Sequence, residues 1–276
     1  MIIKRIYNNN VILASDYNGK EVVLLGRGIG FQLSKGDAVI MDRIEKRFEL
    51  DGEEQFRFQE LVKDMPTDYI SLADDVIMFI KSKISEPLND SIYTTLTDHI
   101  ANLAERIQMG IVFDNSLLWN IKQLYPVEYD IATEVVKMIS DTLDVKIDKD
   151  EANFVALHIV NAETNTRMME IYAITEIVSL INDIVDTHYI NLDKEGYSYQ
   201  RFMTHCRWFA HRVLNEVPKQ ECNQRNKDTL MLLNQQYEKE SQCLLEINKI
   251  LKDKYSYDVK VDESLYLMMH LVKLTT

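Results

Sequence analysis

With 276 residues but only 8 Gly and 4 Pro, the chain is long enough for two or three domains with cores of their own and short of material for extended loops. No apolar run reaches the ~18–20 residues that a membrane span requires, and no signal-peptide pattern opens the sequence, so neither membrane insertion nor export is expected and the anticipated compartment is the cytoplasm. The net charge of −13 divides unevenly: residues 1–50 carry eight Lys+Arg against six Asp+Glu, the remaining 226 carry 23 against 38, so a phosphate-contacting surface belongs at the N-terminus and must rely on placed groups and stacking rather than on a strong basic field.

The chain opens with three short apolar, β-branched-rich runs, Ile2–Ile6, Val11–Leu13 and Val22–Leu25, separated by Asn and Gly clusters. These read as strands joined by tight turns. Asn18-Gly19 between the second and third predicts a two-residue type I′ hairpin, because both residue types tolerate positive φ. Asn8-Asn9-Asn10 and Gly26-Arg27-Gly28-Ile29-Gly30-Phe31 read as two further turns with exposed backbone, and Ile44–Leu50 as a last strand closed by a turn at residues 51–54. Fifty residues are too few for a secure separate core. Two copies of the sheet packed face to face would bury both apolar faces, so a homodimer is expected.

Three readings compete for the glycine-rich turn. A nucleotide cradle needs GxGxxG or GxxxxGK[ST] with a helix directly behind it, whereas this stretch is GxGxG followed by Phe-Gln-Leu-Ser-Lys-Gly. A turn that merely reverses the strands explains the glycines. Arg27 and Phe31 add a guanidinium and an aromatic ring beside exposed backbone, a combination suited to splayed RNA bases. Taken together, NNNV, the Asn-Gly hairpin, LLGRGIGFQ and RIEKRFEL resemble, in order and spacing, the co-antiterminator RNA-binding domain of the BglG/LicT family of transcriptional antiterminators. The resemblance implies a symmetric β dimer that binds one RNA hairpin, with contacts from Arg5, Asn10, Gly26, Arg27 and Phe31; Asn8 is grouped with them. Arg5 departs from a position where lysine is common, and the two cations differ in hydrogen-bond geometry.

Gln55–Lys63 reads as a short connector, and beyond residue 65 the apolar spacing turns helical: Ile70, Ala73, Ile77, Ile80 and Ile84, then Leu96, Ile100, Leu103 and Ile107, with further helices over 117–124, 131–143 and 150–162. The second half repeats the first. Tyr93, Leu96, His99, Ala104, Arg106 and Ile107 match Tyr199, Phe202, His205, Ala210, Arg212 and Val213, and DEANFVALHIV, ending on His158, matches DESLYLMMHLV, ending on His270. The duplicated unit is roughly 105–110 residues, far longer than a solenoid repeat.

Each copy thus carries two of the six histidines. A lone histidine on an apolar helix is commonly a packed core residue, but four at matched positions ask for a shared reason. No HxxxH pair exists, and His205 and His211 lie six apart on different faces, so a metal site is not expected. Asp98 can orient His99, yet no serine or cysteine nucleophile accompanies it, so no enzyme is expected. Cys206, Cys222 and Cys243, an odd number without ligand spacing, read as reduced free thiols. LNDSIYTTLTDHI and EANFVALHIVNAE, then RFMTHCRWFAHR and LYLMMHLV, resemble two phosphotransferase-system regulation domains, helical bundles whose paired histidines are phosphorylated. A neutral imidazole can accept a phosphoryl group, and the added charge of about −1.5 to −2 is then read by its neighbours. Arg106 and Arg212, two turns beyond His99 and His205, are candidate cations for that charge, with a solvated or structural role weighed equally. His188 and His211 have no counterparts and read as structural.

The expected architecture is therefore multidomain: a small antiparallel all-β RNA-binding domain over 1–55, a linker over 56–64, and two homologous all-α helical-bundle regulation domains over 65–170 and 171–276. The resemblance implies antitermination on a hairpin of nascent mRNA, no cofactor, and phosphorylation of His99 and His158 by a sugar permease and of His205 and His270 by the histidine phosphocarrier protein, the first inhibiting and the second activating. A DNA-binding activator with the same regulation domains is the alternative; it is disfavoured because the N-terminus reads as strands with no helix-turn-helix.

Overall fold

The computed structural model describes residues 1–49, 52–111, 121–215 and 223–275. The first 49 form an antiparallel four-stranded meander, β1 (Ile2–Ile6), β2 (Val11–Ser15), β3 (Glu21–Leu25) and β4 (Lys46–Phe48), in the order β1-β2-β3-β4. Ser15 pairs with Glu21 at the β2–β3 turn, so the connection is longer than the expected two-residue hairpin. The Asp16 amide donates to the Lys20 carbonyl and the Asp16 carbonyl accepts the Gly19 amide, while the Asp16 carboxylate takes the amides of Asn18 and Lys20. Only Gly19 has positive φ, at +84°. This is a three-residue loop, a turn closed by one left-handed glycine, and the Asp16 side chain is what selects it over the type I′ form.

Both faces of the sheet are buried within one chain. Side chains alternate along a strand, and Val11, Leu13, Val23, Leu25 and Phe48 face Phe58, Val62, Met65 and Ile70. Ile12, Ala14, Val22 and Leu24 face the other way, against Ile3 of β1 and against Ile29 and Val39 from the long β3–β4 connection. The first of these covers comes from α1 (Gly52–Val62), helical where a connector was expected, and α2 (Thr67–Lys83). Phe58 and Val62 are fully buried, each contributing on the order of 2 kcal/mol. Phe48, Phe58 and Tyr93 stack tilted or edge-on at centroid distances of 4.9, 5.8 and 6.4 Å. The sheet therefore has an intramolecular cover, and its burial does not by itself require a second copy.

The remainder is helical: α3 (Ser91–Met109), α4 (Ile121–Leu124), α5 (Pro126–Leu143), α6 (Glu151–Thr164), α7 (Met168–His188), α8 (Tyr197–Asn215), α9 (Gln224–Gln236), α10 (Glu238–Tyr255) and α11 (Val261–Thr275). Part of the helix expected over 117–124 lies outside the described residues. The chain forms two compact units, one of residues 1–114 and 127–165, the other of 115–126 and 166–276. The short α4 thus belongs with the second unit, where Arg207 of α8 donates to the Leu124 carbonyl at 3.1 Å and lies over the Tyr125 ring. No described helix is long and apolar enough to cross a membrane.

Candidate functional site

The RNA-binding candidates gather where the Asn8–Asn10 turn meets the Gly26–Gly30 turn. Asn10 and Asn9 carbonyls accept the amides of Gly26 and Gly30, both at 2.9 Å, and the Asn10 side-chain oxygen accepts the Gly28 amide at 2.8 Å. The Asn8 carboxamide oxygen takes the amides of Asn10 and Val11, closing its own turn. A Cβ at Gly26 would lie 1.7 Å from the Arg43 carbonyl oxygen, so only glycine admits that backbone crossing. Asn8, Asn10 and Gly26 thus shape the loop, and Arg27 and Phe31 project from it. Phe31 is 51% exposed, and the Arg27 guanidinium makes no bond among the described residues.

The same module is strapped to the helices that follow it. The Asn10 amide donates to the Thr67 hydroxyl at 3.1 Å, Tyr7 donates to Gln59 at 2.9 Å, and Lys46 pairs with Asp74 at 2.8 Å and Asp75 at 2.5 Å. Arg5 lies over the Tyr7 ring and 3.8 Å from Glu60.

The two histidines of each copy come together, on α3 with α6 and on α8 with α11. In the first unit the His99 and His158 rings lie 4.9 Å apart. Arg106 grips Glu151 with both terminal nitrogens, at 3.1 and 3.3 Å, and His99 Nε2 lies 3.5 Å from the same carboxylate without a hydrogen bond. Burial pushes the Glu151 carboxyl up, but His99 and Arg106 together outweigh it and hold it below the usual carboxylate range. Burial, joined by His99, brings the His158 imidazole down to about 3, and its Nδ1 has no hydrogen-bond partner among the described residues. Asp98 is exposed; the carboxylate that faces His99 is Glu151.

In the second unit His205 and His270 stack more closely, at 3.8 Å. Arg212 grips Glu263 through Nε and Nη2 at 2.6 and 2.7 Å, the equivalent of Arg106–Glu151. The Tyr266 hydroxyl meets His205 Nδ1 at 2.5 Å, where the first unit has Phe154, its ring 6.1 Å from that of His99. Burial lowers both imidazoles, His270 to about 4, with Arg201 and Lys273 adding to the effect on each. Both rings are therefore neutral near pH 7 with lone pairs available.

Glu151, Glu263 and Tyr266 complete these sites and were not singled out from the sequence, although the matched DEANF and DESLY segments contain them. His188 and His211 lie near Glu246 and Glu170, at 3.1 and 3.6 Å. Among the described residues no cluster of His, Cys, Asp and Glu could hold a metal ion. Cys206 and Cys243 are free and buried, which raises both thiols, Cys243 to about 12; Cys222 lies outside the described residues.

Comparison with known proteins agrees with this arrangement. The CAT RNA binding domain family matches residues 1–57, and the PRD domain family matches 74–162 and again 178–274. The transcription antiterminator LicT of Bacillus subtilis is 37% identical over 273 residues, 98% of each chain, and a beta-glucoside operon antiterminator of Dickeya chrysanthemi is 34% identical over 98% of this chain and 95% of that one. The crystal structure of GlcT CAT-PRDI superposes on 59% of this chain and 98% of its own at a TM-score of 0.51 with 38% identity. An RNA-binding sheet module followed by two PRD domains, shared along the full length of such relatives, places this chain in the family of CAT- and PRD-containing transcription antiterminators.

Proposed function

We propose that the chain binds a hairpin in nascent mRNA as a homodimer, prevents a terminator from forming, and is switched by phosphorylation of its histidines by the sugar phosphotransferase system. The observation that carries this reading is the pair of equivalent His–His–Glu–Arg constellations downstream of a module that exposes Phe31 and Arg27. The functional division is 1–55 for RNA, 65–170 and 171–276 for regulation. Phe31 stacks on an unpaired base, Arg27 and Arg5 hold phosphate or base edges, and Asn8, Asn10 and Gly26 fix the loop that presents them. Release of Asn10 from Thr67 and of Arg5 from Glu60 frees the module for RNA.

Phosphorylation of His99 by a sugar permease places dianionic charge against Glu151 and opposes the active state. Phosphorylation in the second unit by the histidine phosphocarrier protein places it near Arg201 and Lys273 and favours that state. Titrating the full chain into a loop-containing RNA hairpin and into duplex DNA of the same sequence tests the first step. RNA is preferred, and Phe31→Ala weakens it by about 1–3 kcal/mol. Equal affinity for the DNA contradicts the reading, and unchanged affinity of a folded Phe31→Ala variant assigns Phe31 to packing.

A further inference from the structure

The two histidine sites differ at one residue that touches the chemistry. His205 has two ring nitrogens, and the Tyr266 hydroxyl occupies Nδ1 at 2.5 Å, with its ring edge-on to the imidazole at 4.9 Å. On the other side His270 stacks at 3.8 Å. The ring is thus held from two directions, and its Nε2 makes no hydrogen bond among the described residues. His270 is the inner member, only 7% exposed, whereas His205 is partly open to solvent. In the first unit the corresponding phenylalanine, Phe154, offers no hydrogen bond, and the Nε2 of His99 is buried and turned toward Glu151.

We propose that Tyr266 is a positioning residue that presents His205 Nε2 as the phosphoryl acceptor of the second unit. The inference rests on the phosphorylation reading above and names the atom and the residue that selects it. A hydroxyl can donate or accept by rotating its proton. With Nδ1–H donating to the Tyr266 oxygen, the Nε2 lone pair is free to attack. The Nε2–P bond forms as the donor's P–N bond breaks, the donor nitrogen leaves with its own protons, and the imidazole becomes a cation that still carries its proton on Nδ1. Tyr266 accepts from that N–H more strongly once the ring is charged. Arg201 and Lys273, whose counterparts in the first unit are Thr95 and Asn161, stand near enough to act on both rings and suit the incoming dianion.

The test uses the full chain with phosphoramidate, a small P–N phosphoryl donor, and compares the wild type with Tyr266→Phe and His205→Ala. Phosphorus NMR identifies the modified nitrogen, and mass spectrometry locates the residue. The wild type is expected to gain phosphoryl on His205 at Nε2. Tyr266→Phe should react about tenfold more slowly, the loss of one hydrogen bond to a charged group, and distribute the product between both ring nitrogens. A merely structural role for Tyr266 would leave the ring nitrogen used unchanged in a folded variant. Wild-type modification of His205 at Nδ1, wild-type modification of His270 in place of His205, or an unchanged isomer in Tyr266→Phe overturns the inference while leaving histidine phosphorylation intact. Failure of all four histidines to react in the wild type overturns both.

Discussion

The two histidine sites are built on one plan and tuned in opposite directions. Each has an arginine two turns beyond the first histidine, gripping a glutamate from the first turn of the facing helix. In the first unit that glutamate also confronts His99 Nε2, at 3.5 Å. In the second, Glu263 is held by Arg212, and the histidine is held instead by Tyr266. A phosphoryl group on His99 would meet a carboxylate, and one on His205 would meet cations. The same modification can therefore have opposite consequences from a difference of a few side chains around a shared frame.

The largest expected contrast comes from removing the shared glutamate. Glu151 and Arg106 are 8% and 14% exposed, so Glu151→Ala strips a buried guanidinium of its carboxylate and should destabilise the first unit by about 3–5 kcal/mol. Arg212 is 30% exposed, and Glu263→Ala should cost the second unit only about 1 kcal/mol. Denaturant unfolding of the two variants checks the order. Equal losses would mean that solvent screens both pairs alike.

A smaller difference is expected with pH. Folding lowers His158 from 6.5 to about 3 and His270 to about 4. The unfolded chain then protonates first, so stability is full above about pH 6.5 and falls as the pH drops. By pH 4 each site has lost on the order of 3 kcal/mol. The first unit goes on losing toward about pH 3, whereas the second levels off near about pH 4. Thermal melts from pH 7 to pH 3.5 follow this, and His158→Gln should flatten the acid limb of the first unit. An unaltered limb in that variant would place the loss elsewhere.

The strands, the helical repeat and the four paired histidines were legible in the sequence because periodicity and duplication encode them directly. Other features depended on partners distant along the chain. The strand runs are apolar on both faces, which from fifty residues alone calls for a second copy. Phe58, Val62 and Ile70 supply one cover from the following helices, and Ile29 and Val39 supply the other from a loop. Asn18-Gly19 carries a hairpin signal that the Asp16 carboxylate overrides. Glu151 and Glu263 stand where a first-turn carboxylate ordinarily faces water and favours the helix dipole, so nothing local marks the buried Glu151 and the half-buried Glu263 as partners of an arginine. Tyr266 differs from Phe154 by one hydroxyl, and its meaning appears only when α8 and α11 are brought together.

The central claim is that the two sites send opposite signals, and an antitermination reporter carrying each histidine-to-alanine change separately tests it most directly. His99→Ala and His158→Ala should give activity without inducer, and His205→Ala and His270→Ala should reduce activity in its presence. A swing from mostly inactive to mostly active corresponds to about 5.5 kcal/mol of differential free energy, which the proposed homodimer would divide over sites that each occur twice. Four variants that all behave alike would contradict the account and return the histidines to a structural role.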